Sequence, residues 1–266
     1  MLRRLALLPV LLLAACATAE DDLGIAFDGA PLDARTDTGS GDDTRTTEDT
    51  GSTPPPDTTV ADTTPTDAAG CTGVIANWNW NAGTGPTTLV KSSTTSLWAI
   101  GAATSYGPKD GATYLATNPN VGSYVDGMRE WVRLPTIPLG AYAACKIKIS
   151  VEVWRYCEGL STTVDGGNLQ FTAAADAASA TDWKAVDGTS MGYDGVTTAS
   201  ACSSTCFVYN QKLWAGRAAP YAKSGTFTST APMGSQLTFR FTFFSDASLA
   251  SYDGLYVKSL KVEAVP

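Results

Sequence analysis

The chain has 266 residues, a formal net charge of −8 and a pI near 4.5, and it contains no histidine. Without an imidazole, a Ser-His-Asp or Cys-His nucleophile, a zinc site of peptidase type and a histidine general base are all excluded. No phosphate-cradling Gly-rich loop with a following Lys-Ser/Thr occurs, nor does a dinucleotide fingerprint after a strand.

The first element is an export signal over residues 1–15. Arg3 and Arg4 precede an apolar stretch from Leu5 to Leu13, and small residues follow it. The apolar run is too short to cross a bilayer, which needs about 20 residues, and Pro9 interrupts it. Its ending, Leu13-Ala14-Ala15-Cys16, resembles the lipobox of bacterial lipoproteins. The resemblance implies cleavage before Cys16 and a diacylglycerol on its thiol. That would give the two acyl chains that stable anchoring requires. Ala17 stands where an aspartate would favour retention at the inner membrane, so the resemblance implies a cell-envelope location, at the outer membrane rather than the inner.

Residues 16–70 read as a lipidated cysteine followed by a tether. From Thr36 onward the composition is mostly Thr, Asp, Pro, Gly, Ser and Ala, and the segment from 17 to 70 holds thirteen acids against two bases. Such a stretch cannot bury enough apolar surface to offset its ordering entropy, and its charge and prolines extend it. Residues 71–266 form one domain with thirteen acids and fourteen bases, so the acidity belongs to the tether. No basic stripe interleaved with aromatics is present, which argues against nucleic acid as a partner.

The domain reads as β throughout. Residues 146–156 alternate with period two, apolar at Ile147, Ile149, Val151 and Val153; residues 236–244 do so at Leu237, Phe239, Phe241 and Phe243. Further strands are predicted near 73–80, 96–101, 112–117, 129–134, 167–173, 182–187, 206–214 and 255–264, separated by Asp-Gly and Gly-rich turns. About ten strands with such turns predict an all-β fold, a two-sheet antiparallel jelly-roll sandwich.

Four segments carry a family resemblance: Trp98-Ala99-Ile100-Gly101, Asp110 to Asn118, Gly122-Ser123-Tyr124 and Leu134 to Leu139, followed by Asp253-Gly254-Leu255-Tyr256-Val257-Lys258-Ser259. Their order is similar to the β-sandwich modules beside immune-inhibitor-A-type metallopeptidases and to related MAM-like modules. Those modules often hold a structural calcium. Lys258-Ser259 and Pro138 stand where the family has aspartates, which weakens that implication here.

Besides Cys16 there are five cysteines, Cys71, Cys145, Cys157, Cys202 and Cys206, so at most two bridges form and one thiol is left over. As one extended strand, residues 146–156 span ~36 Å, so Cys145 and Cys157 cannot pair. If the following strands alternate in direction, the loop carrying Cys202 and Cys206 returns to the Cys157 end. The expected bond is Cys157 to Cys202 or Cys206, with a local Cys202–Cys206 bridge as rival. A Cys71–Cys145 bond would tie the start of the domain to a strand start.

Asp246 and Asp253 flank the loop before the last strand, and with Asp110 they offer an oxygen-only calcium site; no other cofactor is expected. Trp78 and Trp80 share one face of a strand and are flanked by Asn77, Asn79 and Asn81, the arrangement of an aromatic platform for a sugar. Tyr193, in the loop 191–195, is a second surface candidate. A glycosidase would need two carboxylates in one cleft, and none of Glu130, Glu152 and Glu158 is singled out by spacing. The reading is a membrane-anchored lipoprotein whose non-catalytic β-sandwich module binds a glycan or an envelope protein. The alternatives are a structural envelope component without a small ligand and, third, a polysaccharide-active enzyme.

Overall fold

The computed structural model describes residues 70–103, 107–120, 123–159, 165–197, 208–247 and 252–266. The chain divides into two compact units, Met1–Thr59 and Val60–Pro266, and every described residue lies in the second. Cys16, the signal and nearly all of the tether lie outside the described residues, as do Cys202 and Cys206.

Fourteen strands occur among the described residues, with one short 3-10 helix at Gly140–Tyr142. In chain order the first seven are β1 (Gly73–Asn79), β2 (Val90–Lys91), β3 (Trp98–Ala102), β4 (Thr113–Thr117), β5 (Arg129–Arg133), β6 (Ile137–Pro138) and β7 (Lys146–Tyr156). The remainder are β8 (Gly166–Thr172), β9 (Lys184–Ala185), β10 (Gly195–Val196), β11 (Lys212–Ala215), β12 (Ala222–Thr228), β13 (Gln236–Phe244) and β14 (Gly254–Val265). They form two antiparallel sheets, the expected jelly-roll sandwich. One sheet runs β12-β7-β14-β4-β3, with β1 paired to the far half of β14; the other runs β10-β11-β8-β13-β5-β2, with β6 on β13 and β9 on β8.

The two strongest alternations face each other across the core. Ile147, Ile149, Val151 and Val153 of β7 and Leu237, Phe239, Phe241 and Phe243 of β13 are at most 3% exposed. Alternate side chains of a strand point to opposite faces, so the same periodicity sends Ser150, Glu152, Trp154 and Tyr156 outward. Strand β12 carries no apolar alternation, and the sequence reading passed over it. It is the edge of its sheet, with Ala222, Ser224 and Thr226 exposed. Gly225 is required there, because a Cβ would lie 2.5 Å from the Met191 carbonyl oxygen.

The Cys71–Cys145 bond is formed, with Cα atoms 5.4 Å apart. It fastens the chain just before β1 to the start of β7. The bond expected from Cys157 is not formed: Cys157 carries a free, fully buried thiol. The strand directions explain the correction. β10, which was not expected from the sequence, lies between β9 and β11 and adds one reversal, so β9 and β11 both run antiparallel to β8. It is therefore the end of β11 that reaches Cys157, whose N–H donates to the Gly216 carbonyl at 3.1 Å.

Candidate functional site

The outer face of the six-stranded sheet is built from one register. Ala222, Ser224 and Thr226 of β12 lie opposite Trp154, Glu152 and Ser150 of β7. Trp154 and Glu152 in turn lie opposite Tyr256 and Ser259 of β14. Asn79 and Asn77 of β1 lie opposite Ser259 and Lys261. Residues directly opposite in an antiparallel pair share a face, so these polar side chains and rings gather on one surface.

Two adjoining hollows mark that surface. The first, of about 360 Å³, is lined by Trp154, Tyr114, Glu152, Lys258, Asp110 and Pro108 among others. The second, of about 240 Å³, is lined by Asn77, Asn79, Ser150, Thr226 and Lys261 among others. Glu152 and Ser224 belong to both and make them one groove. From Ser150 to Trp154 it runs ~13 Å along the strands at ~3.3 Å per residue.

Aromatic rings floor the first hollow and continue beyond it. Tyr256, fully buried, packs edge-on against both Trp154 and Tyr114, at ring-centroid distances of 5.5 and 5.8 Å. Trp154 then stacks on Tyr156 at 6.2 Å and meets Tyr221 at 5.8 Å, and Tyr156 meets Tyr252 at 5.8 Å. Tyr221 is 38% exposed. Tyr114 and Tyr256 are the buried end of this row, a small apolar cluster against which Trp154 packs; Trp154, Tyr156 and Tyr221 are its partly exposed end.

The charges of the groove are held in place. Asp110 accepts from the Ala112 N–H at 2.9 Å and from the Tyr114 hydroxyl at 2.8 Å. The Ala112 bond, with the tyrosine behind it, keeps the carboxyl below the usual aspartate range. Burial, reinforced by Asp110, raises the Tyr114 hydroxyl, so it stays a donor. Lys258 pairs with Glu152 at 3.1 Å and Lys261 with Glu263 at 2.6 Å. Lys223 pairs with Asp194 at 2.8 Å, and Arg155 holds the other oxygen of the same carboxylate at 2.9 Å.

The tryptophan platform expected from sequence is corrected. Trp78 and Trp80 do share a face, but it is the inner one. Trp78 lies opposite Leu260, a core residue, and packs against the core; Trp80 is 3% exposed with its ring 6.5 Å from Phe241. One position of register separates them from Asn77 and Asn79, which face the groove. Of the residues named for the platform, Asn77 and Asn79 line it, and the Asn79 Oδ1 also accepts from the Ala82 N–H at 3.0 Å and closes the turn after β1. Tyr193 is half-buried and tied inward: it packs on Trp214 at 4.7 Å, and its hydroxyl donates to the Val186 carbonyl at 3.1 Å.

The carboxylates expected to share a metal do not meet among the described residues. Asp110 rims the groove. Asp253, 4% exposed at the start of β14, accepts from the Gly107 N–H, and burial pushes its carboxyl up to about 6. Asp246 follows β13 in the other sheet and joins Glu158 and Asp165, with ligand oxygens within 4.8 Å of one another. The Tyr124 hydroxyl donates to Asp165 Oδ2, and the Asp246 N–H donates to its Oδ1 at 2.8 Å. Burial pushes Asp165 up to about 6, and burial with the Asp246 charge raises Glu158. Glu158 Oε2 is buried without a hydrogen-bond partner. This grouping was not readable from spacing, because Asp246 joins Glu158 and Asp165, both in the β7–β8 connection, from 81 residues beyond Asp165. Trp154 did leave a signal: an indole at a polar position of an alternating strand.

No family model matches the chain, and no curated protein matches it. Among solved structures it is similar to TmCBM61 in complex with beta-1,4-galactotriose, with 6% identity, 67% of this chain and 90% of that chain covered, and a TM-score of 0.40. It is also similar to the CBM22-1 xylan-binding domain of Xyn10C from Paenibacillus barcinonensis, with 9% identity, coverage of 73% and 96%, and a TM-score of 0.36. A third likeness, to the catalytic domain of a GH87 alpha-1,3-glucanase in complex with tetrasaccharides, has 12% identity, coverage of 67% and 28%, and a TM-score of 0.25. At these identities and TM-scores none of the three speaks to what this chain binds.

Proposed function

We propose that this protein is a non-catalytic glycan-binding module held at the bacterial outer membrane by a lipid on Cys16. The observation that carries the binding reading is the partly exposed ring set Trp154, Tyr156 and Tyr221 on the outer sheet face, with Trp154 lining a polar groove. A sugar ring offers an apolar face to stack and a rim of hydroxyls to hydrogen-bond. Trp154 meets the first need, and Glu152, Lys258, Asn79 and Asp110 meet the second.

Asp110 and Glu152 line one hollow, the feature a glycosidase would require. A general acid in such an enzyme must hold a proton at neutral pH, through a raised pKa. Asp110 is shifted the other way, and Glu152 is fixed against Lys258. An aspartate held below its usual range and a glutamate paired with a lysine support binding rather than bond cleavage. In affinity electrophoresis of the full chain through gels containing plant and bacterial polysaccharides, at least one polymer should retard migration. Trp154→Ala should weaken that retention by about 30-fold or more, the effect of losing a central aromatic contact, with the fold intact by circular dichroism. Equal retention of both proteins would remove Trp154 from the site.

A structural calcium fits Glu158, Asp165 and Asp246 better than the set expected from sequence. Three carboxylates in reach of one ion, one of them with a buried unpartnered oxygen, match the all-oxygen preference of calcium. The ion would hold the ends of β7, β8 and β13 together. Excess EDTA should lower the melting temperature, and added calcium should restore it; an unchanged transition would exclude the site.

A further inference from the structure

Resting on the glycan reading above, we infer that the groove selects uncharged polysaccharide and discriminates against uronate-bearing chains. The basis is the pairing of its cations. Each lysine that lines the groove already holds a carboxylate within 3.1 Å: Lys258 holds Glu152, Lys261 holds Glu263, and Lys223 holds Asp194. Lys258, Lys261, Lys223, Glu152 and Asp110 line the groove; with the partners that lie just outside the lining, Glu263, Asp194 and the Arg155 that shares Asp194, four bases are set against four acids. The surface is neutral in sum and amphoteric in detail.

A uronate arriving here must take a lysine from its present partner, and the displaced carboxylate would then stand unpaired beside the incoming one. The exchange gains nothing and adds like-charge repulsion from Glu152 and Asp110. A neutral sugar asks for no exchange. Its hydroxyls can donate to Glu152 and Asp110 and accept from Lys258, Asn79 and Ser224 without breaking an ion pair. The Glu152–Lys258 pair sits where the two hollows join, with side chains half-exposed, so any chain along the groove passes over it.

The test uses the full chain in affinity electrophoresis against neutral polymers (galactan, xylan, β-glucan) and against polygalacturonate and alginate, at low and at about 0.5 M salt, where screening is short-ranged. Retention by at least one neutral polymer, changed little by salt, with none by the two acidic polymers, is the expected result. Glu152→Gln releases Lys258 and leaves the groove one charge positive. It should then gain retention by polygalacturonate of about fivefold, the size of one exposed charge pair, and high salt should abolish that gain. Wild-type retention by an acidic polymer above that by every neutral one overturns the inference while leaving the glycan reading in place. Retention by no polymer overturns both.

Discussion

Removal of the Cys71–Cys145 bond is expected to cost about 4 kcal/mol of domain stability. The two cysteines lie 74 residues apart in sequence. In the chain-entropy account a closed loop of that size falls between the ~3 kcal/mol of a 15-residue loop and the ~4.7 kcal/mol of a 100-residue one. For a domain of this length the melting temperature should fall by roughly 2–4 °C per kcal/mol. Urea unfolding of the wild type and of Cys71→Ala/Cys145→Ala checks the figure, and the reduced wild type should match the variant. A loss below about 1 kcal/mol would mean that the unfolded chain is not constrained as this account requires. The bond also acts locally. It fixes the chain next to Gly73, from which β1 runs along β14 and presents Asn77 and Asn79 to the groove. The variant should therefore bind glycan more weakly than its folded fraction explains.

The register of β1 shows what was and was not legible in the sequence. The strand itself was readable, and so was the pairing of Trp78 with Trp80 on one side. Which side faces the core is decided by the partner strand, since Trp78 is opposite Leu260 and Asn79 opposite Ser259; no local pattern contains that. β7 and β13 were legible to the residue because the core-facing positions from Ile147 to Val153 and from Leu237 to Phe243 are all apolar. β12 was not, because an edge strand buries one face at most and needs no alternation. The Cys157 bond was expected from alternating strand direction, and the two-residue β10, too short to read in the sequence, inserts one more reversal before β11. The carboxylate trio was hidden because Asp246 reaches Glu158 and Asp165 only when β13 pairs with β8. Trp154 was visible in the sequence as an aromatic among Lys148, Ser150 and Glu152, and the alternation that buries Val153 is what puts it outside.

Phe241→Ala is expected to destabilise the domain by about 3–5 kcal/mol, the range for emptying a buried aromatic site. Phe241 is fully buried near the middle of β13, with Trp80 edge-on at 6.5 Å and Trp98 tilted at 6.5 Å. Strands β8 and β5 pair with β13 on either side at this position, so the backbone cannot collapse into the void. The cost should lie towards the upper end, because both indoles also lose an aromatic neighbour worth about 0.5–1.5 kcal/mol. Urea unfolding measures it, and a double cycle with Trp80→Ala should return a coupling of that smaller size. The functional readout runs opposite to that of Trp154. At temperatures where Phe241→Ala is still folded, its glycan retention should equal that of the wild type, because the inner face touches no ligand. Lost retention with little lost stability in Phe241→Ala or Trp80→Ala would place the ligand inside the sandwich and overturn the outer-face site.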